Sequence, residues 1–338
     1  MFRLLAVAVG SMAASTWLVG RILPWLRAMS PRVIPSGAGV AIVVVVVVVA
    51  AALGIGDLPL GWRLAGGLVP AVGVAAMSLR DDFWPLSALV RLAGHITAAI
   101  GVVAALGPID SVALGPLGSV NLGSLAWPLT ILWIVGMTNV FNFMDGIDGI
   151  TGITAATAAA AVAAAAALLG SPLIAMIGIA LAAGCLGFLV WNWPPAKVFM
   201  GDVGSTFCGF VVATLPLLLP GNQRIVVLPV AVMACWAFIF DAGYTLIRRL
   251  LCGENILHSH TTHLYQRLVA MGWSHRGVAT LYGGLASMSA AVAVSPLLDP
   301  AFQPAAEALA PAAILTGIAL LLALSLRRPE SRASEIRA

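Results

Sequence analysis

Charge is what this chain has least of. Only 9% of its 338 residues are Asp, Glu, Lys or Arg, whereas a soluble domain typically carries about 25%. Its mean hydropathy of +1.05 excludes a pair of soluble domains, although the length would accommodate them. Lysine is nearly missing: Lys197 is the sole one, and every other basic residue is arginine. The net charge of +4 is spread thinly and does not read as a nucleic-acid surface. Cysteine is sparse as well. Cys185, Cys208, Cys235 and Cys252 show no paired spacing, and three fall in apolar segments. They read as small core residues rather than disulfides or metal ligands. No polar stretch is long enough for an independent soluble domain. No internal repeat supports an inverted-repeat transporter.

Apolar sequence is what the chain has in abundance. A helix needs about 20 apolar residues to cross a bilayer. Eleven segments are candidates: 2–23, 38–55, 61–79, 88–106, 125–141, 152–169, 173–191, 204–219, 225–245, 277–295 and 305–326. The expected fold is all-α and integral to the membrane, a polytopic bundle of about eleven transmembrane helices. A single domain spans 1–326, and a short tail, 327–338, follows. The first run, behind Arg3, reads as an uncleaved span because ten more follow it. Basic residues set the orientation. With the N-terminus outside, fourteen of the seventeen Lys and Arg fall in inside loops and ends, and only Arg3, Arg63 and Arg224 remain outside. The C-terminus is then cytoplasmic.

Against this background the acids stand out by position. Asp81 and Asp82 are adjacent at the end of the third span. Asp145 and Asp148 lie in Asn139-Val-Phe-Asn142-Phe-Met-Asp145-Gly-Ile-Asp148-Gly149, after the fifth. Asp202 lies in Lys197-Val-Phe199-Met-Gly201-Asp202-Val-Gly204-Ser205, before the eighth. All five fall on the cytoplasmic side. Carboxylates at the mouths of membrane helices are costly unless they hold a cation or a substrate. Two adjacent carboxylates repel unless a cation or proton is shared, and magnesium often bridges carboxylates to phosphate. The bland reading of the Asp81–Asp82 pair is a solvated helix end with Arg80 beside it. Asn139, Asn142, Asp145 and Asp148 step by three, which keeps neighbours on adjoining helix faces. Gly201 and Gly204 bracket Asp202 at a helix start, where free backbone N–H groups favour anions. For Asp202 the bland alternative is an N-cap, and for Lys197 a topological charge.

Four of the five histidines fall between 258 and 275, in His258-Ser-His260-Thr-Thr-His263-Leu-Tyr265-Gln266-Arg267 and just beyond. No cysteine accompanies them, so phosphate contact with Arg267 fits better than zinc. His95, alone in the fourth span, reads as an interhelical hydrogen-bonder. Asp241 sits within the ninth span, two turns before Arg248. It either pairs toward that basic end or supports the metal site.

Taken together, Asp81-Asp82, Asn142-Phe-Met-Asp145-Gly-Ile-Asp148-Gly, Pro195-Ala-Lys197-Val-Phe199-Met-Gly-Asp202-Val-Gly-Ser205 and His260-Thr-Thr-His263-Leu-Tyr-Gln-Arg267 resemble the polyprenyl-phosphate N-acetylhexosamine-1-phosphate transferases, glycosyltransferase family 4. The resemblance runs in order from about residue 78 to residue 276. The span count and the Tyr265-Gln266-Arg267 loop look more like the branch that starts O-antigen and related surface glycans. The peptidoglycan branch, which uses a MurNAc-pentapeptide donor, usually has ten spans and consecutive histidines. One departure is the first cytoplasmic loop, 24–38. The family commonly has Pro-x-Arg-Gly-Gly there, and this chain has Pro35-Ser36-Gly37-Ala38-Gly39.

The resemblance implies a bacterial inner-membrane enzyme with its active site on the cytoplasmic face. It would transfer N-acetylhexosamine-1-phosphate from a UDP-N-acetylhexosamine to undecaprenyl phosphate and release UMP. Mg2+ is the implied cofactor, with Mn2+ as a substitute, held by Asn142 and Asp202. Asp81 or Asp82 would deprotonate or orient the lipid phosphate. Asp145, Asp148, Asn192 and Phe199 would shape the nucleotide site, with Phe199 stacking on uracil. Lys197, His260, His263 and Arg267 would contact phosphates. No nucleic acid is implied, and a homodimer is left open. The competing classes are a secondary transporter, whose acids belong near the midplane, and an inactive scaffold.

Overall fold

The computed structural model describes residues 2–29, 33–55, 58–113, 118–255 and 261–325. Their main elements, in chain order, are α1 (Phe2–Met29), α2 (Val40–Ile55), α3 (Leu58–Phe83), α4 (Ala88–Leu106), β1 (Ser111–Ala113), β2 (Ser119–Asn121), α5 (Ala126–Met144), α6 (Ile150–Leu168), α7 (Pro172–Asn192), α8 (Gly201–Thr214), α9 (Gly221–Leu251), α10 (Leu264–Ala270), α11 (His275–Leu298) and α12 (Gln303–Ser325). Among the described residues ten helices are long and apolar enough to cross a membrane, α8 counting with its continuation to Leu218. Helix α2 is equally apolar but has 16 residues. The protein is therefore an all-α polytopic membrane protein. Its one sheet among the described residues is the small antiparallel hairpin β1–β2, where Ser111 faces Asn121.

The centre of the bundle is α6, α7 and α8. Buried residues make up 72%, 78% and 89% of their spanning windows, against 17% for α1 and α12. The alanine run of α6 explains its place: Ala155, Ala158, Ala159, Ala165 and Ala166 are all fully buried. Without water as a driving force, membrane helices associate by close packing, which small side chains permit. The outer helices carry exposed Leu5, Val9, Trp17, Leu89, Ile100 and Leu315, as lipid-facing walls do.

Consecutive spans alternate in direction, so the loops after α1, α3, α5, α7 and α9 share one end. At that end Trp25, Phe83 and Trp84 form an aromatic cluster, with ring centroids 6.1 and 5.9 Å apart. Such aromatics favour the headgroup level. At the other end Arg224 is buried rather than solvated. It donates to the carbonyls of Leu106, Pro108 and Leu219 at 2.6, 3.1 and 2.8 Å. A guanidinium over the end of α4 satisfies carbonyls that have no helical partner.

Candidate active site

The site begins where α3 ends and α8 starts. Asp82 Oδ1 accepts from Asp202 N at 3.0 Å, and Oδ2 accepts from Val203 N at 3.2 Å. One carboxylate thus spans the first amides of α8, where the helix dipole favours negative charge. This is a helix cap supplied from another span. Its neighbour Asp81 accepts from Leu86 N in the α3–α4 turn. Arg91 Nη1, from the first turn of α4, lies 3.2 Å from Asp81 Oδ2 and 3.4 Å from Asp202 Oδ2.

The loop between α1 and α2 completes this corner. Phe199 N donates to Pro35 O at 2.8 Å, and Ala38 N and Gly39 N donate to the carbonyls of Phe199 and Met200. The departure from Pro-x-Arg-Gly-Gly therefore leaves a strip of backbone pairing, with Ser36 on the cavity wall. Glycine is demanded at the crossing. A Cβ on Gly39 would meet Gly204 N at 2.7 Å and Met200 O at 2.8 Å. Gly201 has φ +76°, and a Cβ there would meet Asp82 Oδ2 at 2.7 Å.

The second corner is the turn between α5 and α6. Asp145 closes α5, and Asp148 precedes Gly149, whose φ of +79° starts α6. Burial, reinforced by the Asp202 and Asp82 charges, pushes the Asp145 carboxyl well above the usual carboxylate range. Asp148 accepts from Ala196 N at 3.0 Å and lies 3.4 Å from His275 Nδ1. Asn192 is buried, and its amide is used at both ends. It accepts from Gly149 N and donates to Val198 O, each at 2.9 Å. Asn192 thus fastens the α5–α6 turn to the 193–200 loop while also lining the cavity.

Together these residues line a cavity of about 460 Å³. Asp81, Asp82, Asp145, Asp148, Asn192, Phe199 and Asp202 all reach it, as do Arg91, His275 and Ser36. Five carboxylates against one guanidinium and one imidazole leave an excess of negative charge that favours a cation. Among the described residues no three His, Cys, Asp or Glu side chains are grouped to hold a metal. Asp202 offers a carboxylate on the wall. Asn142 stands against it without lining the cavity, and its Nδ2 donates to Ser205 Oγ at 3.2 Å. These are hard oxygen donors, which fit magnesium. That ion commonly takes one or two carboxylates and completes its shell with water and phosphate.

Other expected contacts lie elsewhere. Lys197 stacks its ammonium over the Trp191 ring, 5.7 Å from the centroid. His263 is buried, caps α10 and donates toward Asp241 Oδ1 at 3.2 Å. Arg267 Nε donates to Thr262 O at 3.2 Å. None of the three lines the cavity. His260 lies outside the described residues. Asp241 neither pairs with Arg248 nor lines the cavity. It is fully buried and accepts from Leu264 N, Tyr265 N and Tyr282 Oη at 2.8, 3.0 and 2.6 Å, besides His263. Arg248 pairs instead with Glu254 at 3.5 Å. Tyr265 Oη in turn donates to Phe143 O at 3.2 Å and rests on Gly146. The α10 segment therefore hangs from Asp241 and braces the Asp145 turn. His95 does bond across helices, with Asn139 Nδ2 at 3.3 Å from its Nδ1. Arg91 and His275 are the cavity groups that sequence reasoning left out. Arg91 reads as one topological charge among many, and His275 as one more histidine of the loop.

The family model "Glycosyl transferase family 4" matches residues 64–219, which run from α3 through α8. A decaprenyl-phosphate N-acetylglucosaminephosphotransferase of Mycobacterium leprae is 32% identical over 290 residues, covering 77% of this chain and 71% of that protein. The chain belongs to glycosyl transferase family 4. The matched stretch carries all five cavity acids and Arg91, and stops short of His263 and His275. A second family member, the probable undecaprenyl-phosphate N-acetylglucosaminyl 1-phosphate transferase of Bacillus subtilis, is 34% identical over 235 residues. That alignment covers 68% of this chain and 66% of the relative, so the chain spans about two thirds of its length. A phospho-N-acetylmuramoyl-pentapeptide-transferase of Heliobacterium modesticaldum is 36% identical over 171 residues, about half of either chain. Both donor branches of the family are thus represented among the relatives.

Proposed function

We propose that this membrane transferase moves N-acetylhexosamine-1-phosphate from a UDP-linked donor to undecaprenyl phosphate and releases UMP, starting a lipid-linked surface glycan. The observation that carries the reading is the meeting of Asp81, Asp82, Asp145, Asp148 and Asp202 in one cavity at one end of the bundle. The basic-residue bias supports a cytoplasmic placement of that end, and the bacterial relatives support an inner-membrane location. A soluble nucleotide sugar and a lipid phosphate meet at such a surface. The names of the Bacillus and Mycobacterium relatives favour N-acetylglucosamine as the sugar, and so UDP-GlcNAc as donor.

The reaction is a single displacement. An oxygen of the acceptor phosphate attacks the sugar-linked phosphorus, and the bond to UMP breaks. Magnesium, when bound, would neutralise the donor diphosphate and the leaving UMP. Asp202 would hold it, with Asn142 against Asp202. Asp82 has both oxygens committed to α8 amides, so its work is to fix Asp202. Asp81 is then the better candidate to orient the acceptor. Asp145, Asp148 and Phe199 would receive the nucleotide, with Phe199 against uracil. Asn192 would keep the turn beneath them in place.

The test is to incubate membranes containing the protein with undecaprenyl phosphate, magnesium and a panel of UDP-sugars. A lipid-diphosphate-sugar should form with an N-acetylhexosamine donor and vanish with EDTA. Product from UDP-MurNAc-pentapeptide alone would reassign the branch. Absence of product from every donor with folded protein would remove the transferase reading.

A further inference from the structure

Arg91 occupies a place where a divalent cation is wanted. A single nitrogen bridges Asp81 Oδ2 at 3.2 Å and Asp202 Oδ2 at 3.4 Å, carboxylates brought together from two helices. Without a cation between them these charges would repel. The bridge is open at one end only. The Arg91 side chain is 37% exposed and that of Asp202 35%, whereas that of Asp81 is 7%. The pair with Asp202 is therefore the weaker and more readily exchanged.

The location of Arg91 supplies the second clue. On α4 it precedes His95, Ala99 and Val102, which carry the buried side of the helix inward. Leu89, Val90, Ile96 and Ile100 of the same helix are exposed. Helix α4 is thus a wall with the cavity on one side and lipid on the other. Trp84, 62% exposed, stands with Phe83 and Trp25 at the same end, at the level of headgroups. His275, the other basic group of the cavity, is engaged with Asp148. The planar guanidinium fork of Arg91 matches a phosphate.

We propose that Arg91 is an exchangeable counter-ion. It stands in for the divalent cation at Asp202, and when that cation binds it would turn to hold, beside Asp81, the monoester phosphate of the lipid acceptor. The inference rests on the function proposed above and adds an order to it, with metal before acceptor. Arg91 is then a binding residue for the acceptor as well as a competitor of the metal, and its removal has opposite effects on the two.

The experiment reads binding, with full-length protein in nanodiscs and no donor. Free Mn2+ is followed by electron paramagnetic resonance. Arg91→Gln should bind Mn2+ about tenfold more tightly than the unaltered protein, the scale of one competing charge removed from a half-exposed site. With Mn2+ saturating, the same variant should lose about tenfold in affinity for dodecyl phosphate and keep its affinity for UDP, the loss expected of one charge-assisted phosphate contact. Unchanged or weaker Mn2+ binding would overturn the exchange. Equal loss of UDP and dodecyl phosphate would move Arg91 to the donor. Inorganic phosphate bound as well as dodecyl phosphate would overturn the lipid assignment. If Arg91→Gln fails to fold, Arg91→Lys carries the test, because it keeps the charge without the fork. Its Mn2+ affinity should hold while dodecyl phosphate binding falls, and undiminished dodecyl phosphate binding would count against the proposal. The donor panel judges the transferase reading separately from these binding arms.

Discussion

At Asp202 and Asp82 the same substitution tests two different jobs. Asp202→Asn removes a charge from the cavity wall and changes the shape little. Transfer should fall on the order of 100-fold, as when a main electrostatic stabiliser is lost, while the melting temperature in detergent stays near that of the parent. Asp82→Asn should behave the other way round. It weakens the cap on α8, so it should cost about 1 kcal/mol of stability, seen as a lower melting temperature. Gly201→Ala, at φ +76° and against Asp82, should cost about 1–2 kcal/mol by the same measurement. The five acids were legible in the sequence because carboxylates are so rare here that their positions alone marked a site. What was not legible was division of labour. Asn192 reads as a ligand and also fastens the turn beneath the cavity, and Arg91 reads as a topological charge and is the only guanidinium on the cavity wall among the described residues. Those distinctions rest in part on partners 43 and 111 residues away, Gly149 for Asn192 and Asp202 for Arg91, which no local pattern reports.

Helix α10 is the element whose placement depends most on one side chain. Asp241 gathers Leu264 N, Tyr265 N, Tyr282 Oη and His263 inside the bundle. An amide in its place accepts at one oxygen only, so Asp241→Asn should cost about 3 kcal/mol through donors left unpaired in a dry site. The control is Tyr282→Phe, which removes one donor and should cost about 1 kcal/mol by thermal melting. If Asp241→Asn lowered activity with unchanged stability, the anchor assignment would fail. The spans themselves were readable to within a few residues, with one systematic error. Hydropathy ends the third and ninth spans near 79 and 245, yet α3 runs to Phe83 and α9 to Leu251. A helix does not stop where its sequence turns polar. Its emerging turns carry Asp81, Asp82, Arg248 and Arg249, with backbone bonds already satisfied inside the helix. The α10 turn escaped notice because seven residues are too few for a periodic signal.

For the molecule as a whole, orientation has a built-in reporter. Cys185, Cys208 and Cys235 are buried and Cys252 is exposed, at the end of α9. If the cavity end is cytoplasmic, an impermeant maleimide should label Cys252 in inside-out vesicles and leave intact spheroplasts unlabelled. Labelling in spheroplasts would invert the topology. The α3–α8 junction carries a further consequence, for biosynthesis. The amides that Asp82 caps lie 120 and 121 residues later in the chain, and the strip at Pro35–Gly39 waits for Phe199 and Met200. A ribosome-bound chain holding only the first seven spans therefore carries Asp81 and Asp82 with neither Asp202 beside them nor α8 to cap. This corner comes into being only when α8 leaves the translocon, so a product truncated before it would sit in the bilayer without the assembled cavity.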